Sequence, residues 1–248
     1  MTSSNQSVPQ RQLAGVIAVV GCDGSGKSTL TADLLGHLRN ERQTELLYLG
    51  QSSGNILDWV RGLPLIGQPI GHYLVRRSER AHAKEDTRSA PDILTALVIY
   101  LLSRWRHHKF QRMLALHRRS VVVITDRYPQ SEMPGFYFDG PGLSVAGTGG
   151  MVRWLATREL RLYRRMASHV PALVIRLDID ADTAHARKPD HKLAMLRDKA
   201  RVIPTLGFNG APILDLDARA PYPEVLQAAL AAASAALASL PGSGPSEH

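Results

Sequence analysis

Residues 21–29, which read GCDGSGKST, constrain this chain more than any other segment. They match G-x-x-x-x-G-K-[ST], the pattern of a loop that wraps around phosphate groups. The apolar run 16–20 precedes them, and a helical pattern of leucines follows at Leu30, Leu34, Leu35 and Leu38. This order predicts a buried strand, a phosphate-binding loop and a helix whose N-terminus faces the ligand.

The residue types of this loop suit a polyphosphate ligand. Glycines permit backbone dihedrals that turn successive amide N–H groups inward. Lys27 offers a mobile positive charge to the terminal phosphates, and Ser28 offers a hydroxyl to Mg²⁺. The residues predicted to bind the nucleotide are Gly21, Asp23, Gly24, Ser25, Gly26, Lys27, Ser28 and Thr29. The alternative is a glycine-rich turn that binds no ligand.

Composition limits the class of protein. The 248 residues are 44% hydrophobic and 21% charged, which indicates a globular chain with a substantial core. The single cysteine, Cys22, excludes a disulfide framework, and the polar first dozen residues do not fit a secretory signal, so we expect a cytoplasmic protein. No apolar run is long enough to cross a bilayer. The net charge of +8 suggests an anionic partner, but no motif typical of nucleic-acid binding accompanies it, so nucleic acid is not the expected partner.

Strand and helix patterns alternate along the chain. Strands are predicted at 14–20, 44–49, 120–125, 172–178 and 213–216, with helices that include 91–117, 151–166 and 223–240. This alternation predicts an α/β fold with a doubly wound, five-stranded, mostly parallel sheet. We expect a disordered leader at 1–12, one domain at 13–240 with an insertion at about 51–90, and a disordered tail at 241–248.

The end of the third predicted strand carries the second chemical motif, Asp126 and Arg127. Ligands of doubly wound sheets lie at the carboxyl ends of the strands, where the phosphate loop also lies. Asp126 is placed to hold Mg²⁺, and Arg127 to form paired hydrogen bonds with a phosphate or carboxylate. The alternative is an exposed structural Asp-Arg pair.

Three blocks of sequence resemble the thymidylate kinase family of P-loop nucleoside monophosphate kinases. They are residues 21–29, 100–105 and 126–131. The resemblance implies that Asp23 faces the acceptor sugar and that Tyr100 stacks on the acceptor base. It also implies that Arg104 hydrogen-bonds that base and that Arg127 contacts the acceptor phosphate. An apolar core position for Tyr100 and a surface position for Arg104 are the alternatives. A homodimer is a further implication.

The resemblance also implies a lid at about 181–195 that covers the donor phosphates. Arg187, Lys188 and Lys192 match it in place, and Arg187 is the expected catalytic arginine, because Gly24 stands where some family members carry an arginine. The acceptor side departs from the family. Residues 49–54 lack the usual Thr-Arg-Glu-Pro-Gly-Gly stretch, and both the insertion at 51–90 and the glycine-rich loop at 133–150 are atypical.

These observations give three hypotheses for function. The first is ATP- and Mg²⁺-dependent phosphoryl transfer to a nucleoside monophosphate, with thymidine monophosphate as the first candidate. The catalytic residues would be Lys27, Asp126, Arg127 and Arg187. The second is a diverged kinase that acts on another small acceptor, such as a nucleoside or a sugar. The third is a non-catalytic nucleotide-binding protein whose basic helices dock on an anionic partner.

Overall fold

The structure is a computed structural model that describes residues 10–50, 91, 93–143 and 149–240. Most of the predicted leader, the insertion at 51–90, the tail at 241–248 and five residues of the glycine-rich loop lie outside the described residues. No described helix has the length and apolar character needed to span a membrane.

A five-stranded sheet in the order β2-β3-β1-β4-β5 forms the centre of the fold, and every neighbouring pair of strands is parallel. The strands are β1 (Arg11–Gly21), β2 (Thr44–Tyr48), β3 (Val122–Asp126), β4 (His169–Asp178) and β5 (Ile213–Asp217). The fold class predicted from the sequence is confirmed. β1 occupies the centre of the sheet, so the loop that follows it opens at the middle of the carboxyl edge.

The first strand is longer than predicted. β1 begins at Arg11, and Arg11 pairs with His169 of β4, so its first two residues fall within the range assigned to a leader. The register shifts between Leu13 and Ile17, next to Pro171 of β4. Because proline has no backbone N–H to donate, it interrupts the ladder at this point. The sequence analysis started these two strands at residues 14 and 172, but residues 11–13 also pair with residues 169–171, before the register shift.

Six α-helices lie within the described residues and cover the two faces of the sheet. They are α1 (Lys27–Arg39), α2 (Ile93–His117), α3 (Gly150–Ala167), α4 (Ala181–Arg187), α5 (Leu193–Val202) and α6 (Tyr222–Leu237). Alternate residues of β1 serve different cores, as the two-residue period of a strand requires. Ile17 and Val19 pack with α1 and α6, whereas Val16, Ala18 and Val20 pack with α2 and α3. β1 is therefore enclosed by an apolar core on each face of the sheet.

The amino-terminal half of α2 is less buried than its composition predicts. Ala96, Val98 and Leu102 are buried, but Ile93 is 59% exposed and Leu101 is 43% exposed. The apolar composition of this half of α2 therefore does not correspond to burial on every side. A run of apolar residues shows that burial would be favourable, but it does not show that a neighbour covers each face of the helix.

Gly36 provides a test of the helix assignment for α1. It lies in the helix interior, exposed, and no atom lies within 4 Å of the position that an added Cβ would take. Gly36→Ala should raise the free energy of unfolding by about 0.5–1 kcal/mol, because alanine loses less backbone entropy in a helix. Chemical denaturation measures the change. Gly26→Ala is the matched control. The space there is equally open, but φ is +88°, so alanine should destabilise by about 1–2 kcal/mol. A destabilising Gly36→Ala would contradict the assignment.

Candidate functional site

The loop between β1 and α1 approaches the segment after β4. Gly24 has a φ of +86°, and an added Cβ would lie 2.7 Å from the backbone oxygen of Ala184 in α4. Only glycine fits this close approach without movement of one backbone. The loop, α4 and the carboxyl ends of β1 and β4 therefore form one wall of the site.

Lys27 and Ser28 begin α1 and face the end of β3. Lys27 Nζ donates a hydrogen bond to the backbone oxygen of Cys22 at 2.7 Å, and Ser28 Oγ donates one to Asp126 Oδ2 at 3.3 Å. Burial, together with the neighbouring Arg127, lowers the pKa of Lys27 to about 8, although Asp23 and Asp126 act in the opposite direction. Lys27 is thus a buried side chain whose positive charge is unfavourable unless an anion binds next to it.

A cavity of about 400 Å³ lies in front of this loop. Its lining comprises Asp23, Gly24, Gly26, Lys27, Ser28, Thr29, Tyr48, Asp126, Arg127, Arg187, Lys188 and His191. Most of the residues predicted for the donor phosphates and the metal therefore line one cavity, but Gly21, Ser25 and Lys192 do not line it. Asp126 Oδ1 is buried and has no hydrogen-bond partner among the described residues, and burial raises the Asp126 pKa despite Lys27 and Arg127 nearby. A hydroxyl beside an unsatisfied carboxylate oxygen is a donor set that suits Mg²⁺.

A second cavity, of about 310 Å³, lies on the other side of the α1 N-terminus. Its lining is Ser25, Gly26, Thr29, Leu30, Leu177, Arg187, Ala218, Ala220, Tyr222 and Val225. Arg187 borders both cavities. Its guanidinium donates to Gly24 O at 3.4 Å and to Ala218 O at 3.1 Å. Lys188 lines the first cavity, whereas Lys192 is exposed and lines neither.

Five charged side chains of alternating sign run along the base of the site, and we call them the ion chain: Lys199, Asp23, Arg127, Asp139 and Arg106. Lys199 Nζ contacts Asp23 Oδ2, and Arg127 Nη2 lies 2.6 Å from Asp23 Oδ1. Arg127 Nη1 lies 3.5 Å from Asp139 Oδ2, and Arg106 Nη2 lies 2.8 Å from Asp139 Oδ1. The chain joins α5, the phosphate loop, the end of β3, the glycine-rich loop and α2.

The cations of the ion chain keep both carboxylates ionised. Burial by itself raises the pKa of Asp23, but Arg127 and Lys199 together hold it well below its usual range. Burial acts in the same direction on Asp139, and Arg106 and Arg127 overcome it, so the Asp139 pKa is also lowered. Both groups are therefore hydrogen-bond acceptors and poor proton acceptors near neutral pH.

Two proteins of Escherichia coli K12 are similar to this chain over almost its whole length. The uncharacterized ATP-binding protein YghS is 54% identical over 238 residues, which cover 96% of this chain and 100% of YghS. The uncharacterized ATP-binding protein YghR is 45% identical over 235 residues, which cover 94% of this chain and 92% of YghR. The chain belongs to the YghS/YghR family. No protein-family model matches the chain.

Two of the site residues that the resemblance implies lie away from both cavities. Tyr100 is half-buried and packs against the apolar cluster that α2 forms with α3, which includes Ala96 and Leu155. Arg104 is exposed on α2. Neither lines the two cavities bounded by described residues. Arg106, two residues further along, is buried and joins the ion chain through Asp139, although it lines neither cavity.

Sequence reasoning did not identify Arg106, Asp139 or Lys199 in the YghS/YghR family member. Asp139 lies in the glycine-rich loop that two buried polar side chains hold in place. Gln130 Nε2 donates to Met133 O at 2.7 Å and to Phe138 O at 3.0 Å. Glu159 accepts hydrogen bonds from the backbone N–H groups of residues 142 and 143 and from the side chain of residue 103. No local pattern predicts the hydrogen bonds of Glu159 or the ion pair between Asp139 and Arg106, because they join residues distant in sequence.

Removal of Asp139 should reveal how strongly the fold depends on the ion chain. Asp139→Ala leaves the fully buried guanidinium of Arg106 without its carboxylate, and the expected loss in free energy of unfolding is about 3–5 kcal/mol. Chemical denaturation at pH 7 measures it. Asp198→Ala, which removes an exposed pair with Arg201, is the matched control and should change stability by less than about 1 kcal/mol. Equal effects of the two substitutions would contradict the assigned burial.

Proposed function

We propose that this protein transfers the terminal phosphoryl group of ATP to a small phosphorylated acceptor, with a nucleoside monophosphate, and thymidine monophosphate first among them, as the expected acceptor. The observation that carries the proposal is that Lys27, Ser28, Asp126 and Arg127 line one cavity. The names of YghS and YghR as ATP-binding proteins support ATP as the donor.

The donor side of the proposal uses both cavities. The loop amides and Lys27 would bind the phosphates in the cavity of about 400 Å³, and the largely apolar cavity of about 310 Å³ suits the adenine base. Ser28 and Asp126 would hold Mg²⁺, which when bound neutralises charge on the donor phosphates. Arg187, between the two cavities, would stabilise charge on the transferring group, and residues 181–195 would act as the lid.

The acceptor side favours a phosphate over a hydroxyl. A hydroxyl acceptor needs a general base, but Asp23 and Asp139 are both bound by cations and have lowered pKa values. A phosphate acceptor already carries a nucleophilic oxygen anion at pH 7. Arg127 lines the cavity in front of the loop, so its guanidinium is placed to bind that anion.

The proposed reaction is an in-line displacement. An oxygen of the acceptor phosphate forms a bond to the terminal phosphorus of ATP, the bond from that phosphorus to the bridging oxygen breaks, and the electron pair stays on ADP. Arg127 orients the acceptor, while Lys27 and Arg187 stabilise charge on the donor. Tyr100 and Arg104, which line neither cavity, would contact the acceptor base from α2.

The resemblance also leads us to propose a single catalytic domain at about 13–240, a homodimer, and a cytoplasmic location. The exposed apolar residues Leu94, Leu97 and Leu101 on α2 support a second copy as the partner of that helix. The single buried thiol of Cys22 suits a reducing compartment.

A panel of acceptors tests the proposed reaction. ADP release and phosphorylated product are measured with ATP, Mg²⁺ and a nucleoside monophosphate, a nucleoside or a sugar. We expect turnover with a monophosphate, a loss of at least about 100-fold in Lys27→Ala, and a larger rise in the acceptor KM than in the ATP KM for Arg127→Ala.

Other outcomes of the panel would contradict the proposal in different ways. Turnover only with nucleosides or sugars would support a kinase with a hydroxyl acceptor. ATP hydrolysis that no acceptor accelerates would indicate an ATPase. Salt-sensitive binding to DNA or to anionic vesicles without turnover would support a nucleotide-binding protein that docks through its basic helices.

The lowered pKa of Lys27 predicts a pH dependence of ATP binding. Because the ammonium form pairs with phosphate and its pKa is about 8, affinity should fall about tenfold between pH 7 and pH 9. Calorimetry in buffers of different ionisation enthalpy would show proton uptake on binding at the higher pH. Lys109 also has a pKa of about 8, so Lys109→Met is the control and should retain the dependence. Lys27→Arg should lose it, and an unchanged dependence in Lys27→Arg would contradict the assignment.

A further inference from the structure

Lys199 is a member of the ion chain to which the proposed function gives no part. It lies on α5, its side chain is 5% exposed, and its ammonium contacts Asp23 Oδ2. The other oxygen of that carboxylate, Oδ1, contacts Arg127 at 2.6 Å. Asp23 is therefore held from both sides. Lys199 of α5 contacts one carboxylate oxygen, and Arg127 at the end of β3 contacts the other.

We infer that Lys199 is a positioning residue, which fixes the Asp23 carboxylate and through it holds the Arg127 guanidinium against the phosphate loop for the acceptor. This inference rests on the proposed function, since it assigns Lys199 a part in use of the acceptor. Lys199 lines neither cavity, so it does not contact the donor phosphates directly.

The geometry explains why one lysine can control an arginine that it does not contact. A carboxylate bound at one oxygen can rotate about its Cα–Cβ and Cβ–Cγ bonds, whereas cations at both oxygens fix its plane. Among the described residues, the other basic side chain paired with Asp23 Oδ2 is His191, whose Nδ1 lies 3.8 Å away. That distance exceeds a hydrogen bond, so without Lys199 the Asp23 carboxylate and the Arg127 contact at Oδ1 would lose their fixed orientation.

The position of Lys199 in the chain gives this contact a second consequence. α5 packs against α4, the helix that ends at Arg187. An ion pair between Arg197 and Asp182 also joins the two helices. Lys199 therefore links the segment that carries the proposed donor-side arginine to the acceptor-side arginine. We expect its removal to affect the step in which both substrates are bound, and to leave ATP binding alone nearly unchanged.

A double-mutant cycle tests the inference. The full-length wild-type protein is compared with Lys199→Met, Asp23→Asn and the double variant, by kcat/KM for the acceptor and by the ATP Kd measured without acceptor. Lys199→Met should lower kcat/KM for the acceptor about 10- to 100-fold and change the ATP Kd less than about threefold. The double variant should be no worse than Asp23→Asn, because Lys199 acts only through that carboxylate.

Two further variants separate positioning from a structural role. Lys199→Arg keeps the positive charge and should recover most of the acceptor kcat/KM, even if Lys199→Met proves poorly folded. Arg201→Met, on the same helix, removes an exposed cation that pairs with Asp198, and should match wild type in all measurements. Additive losses in the cycle, equal losses for ATP and acceptor, or no recovery in Lys199→Arg would each overturn the inference.

The experiment also distinguishes this inference from the proposed function. If wild type binds ATP but phosphorylates no acceptor, the proposed function fails, and the positioning role fails with it. If wild type phosphorylates an acceptor and the losses are additive, only the role of Lys199 fails. The same four proteins can be compared by thermal unfolding, which needs no substrate. The stability changes should be non-additive for Asp23 and Lys199 whether or not the protein phosphorylates an acceptor, because the two side chains are in contact.

Discussion

The site depends on the alignment of β1 with β3. Val19 pairs with Asp126 in the parallel ladder, and the backbone N–H of Arg127 still donates to Val19 O at 2.9 Å. The next backbone step leaves the sheet, because Arg127 has a φ of +70°. That conformation is costly for a residue with a side chain, by about 1–3 kcal/mol, and it persists only where surrounding contacts hold it. Here it directs the guanidinium toward Asp23 and the phosphate loop.

Buried charges of alternating sign provide those surrounding contacts. A single carboxylate or guanidinium at these depths would be unfavourable, but each member of the ion chain has a neighbour of opposite charge. The arrangement contributes orientation more than stability. It places the buried Arg127 beside Lys27, whose positive charge is disfavoured both by burial and by Arg127. Such a site is prepared to receive phosphate groups.

Much of the donor side could be predicted from the sequence. The loop at 21–29 is local in the chain, and glycines at fixed spacing, a lysine and a serine have backbone and chemical requirements that neighbouring residues meet. The parallel sheet followed from β-branched runs alternating with helical patterns. The resemblance implies a lid that carries Arg187 and Lys188, and both residues line the cavity in front of the loop.

The acceptor side could not be predicted in the same way. Tyr100 and Arg104 are implied only by the resemblance; their four-residue spacing allows both to lie on one helical face, but which face of α2 turns toward the sheet depends on packing. Arg106, Asp139 and Lys199 come from a helix, a glycine-rich loop and a helix far apart in sequence, and only the folded chain brings them together. Local residue order alone determined the phosphate loop and the parallel sheet, because backbone geometry and side-chain period act over a few residues. The tertiary structure decided which charges meet, because ion pairing acts through space and has no signature in spacing along the chain.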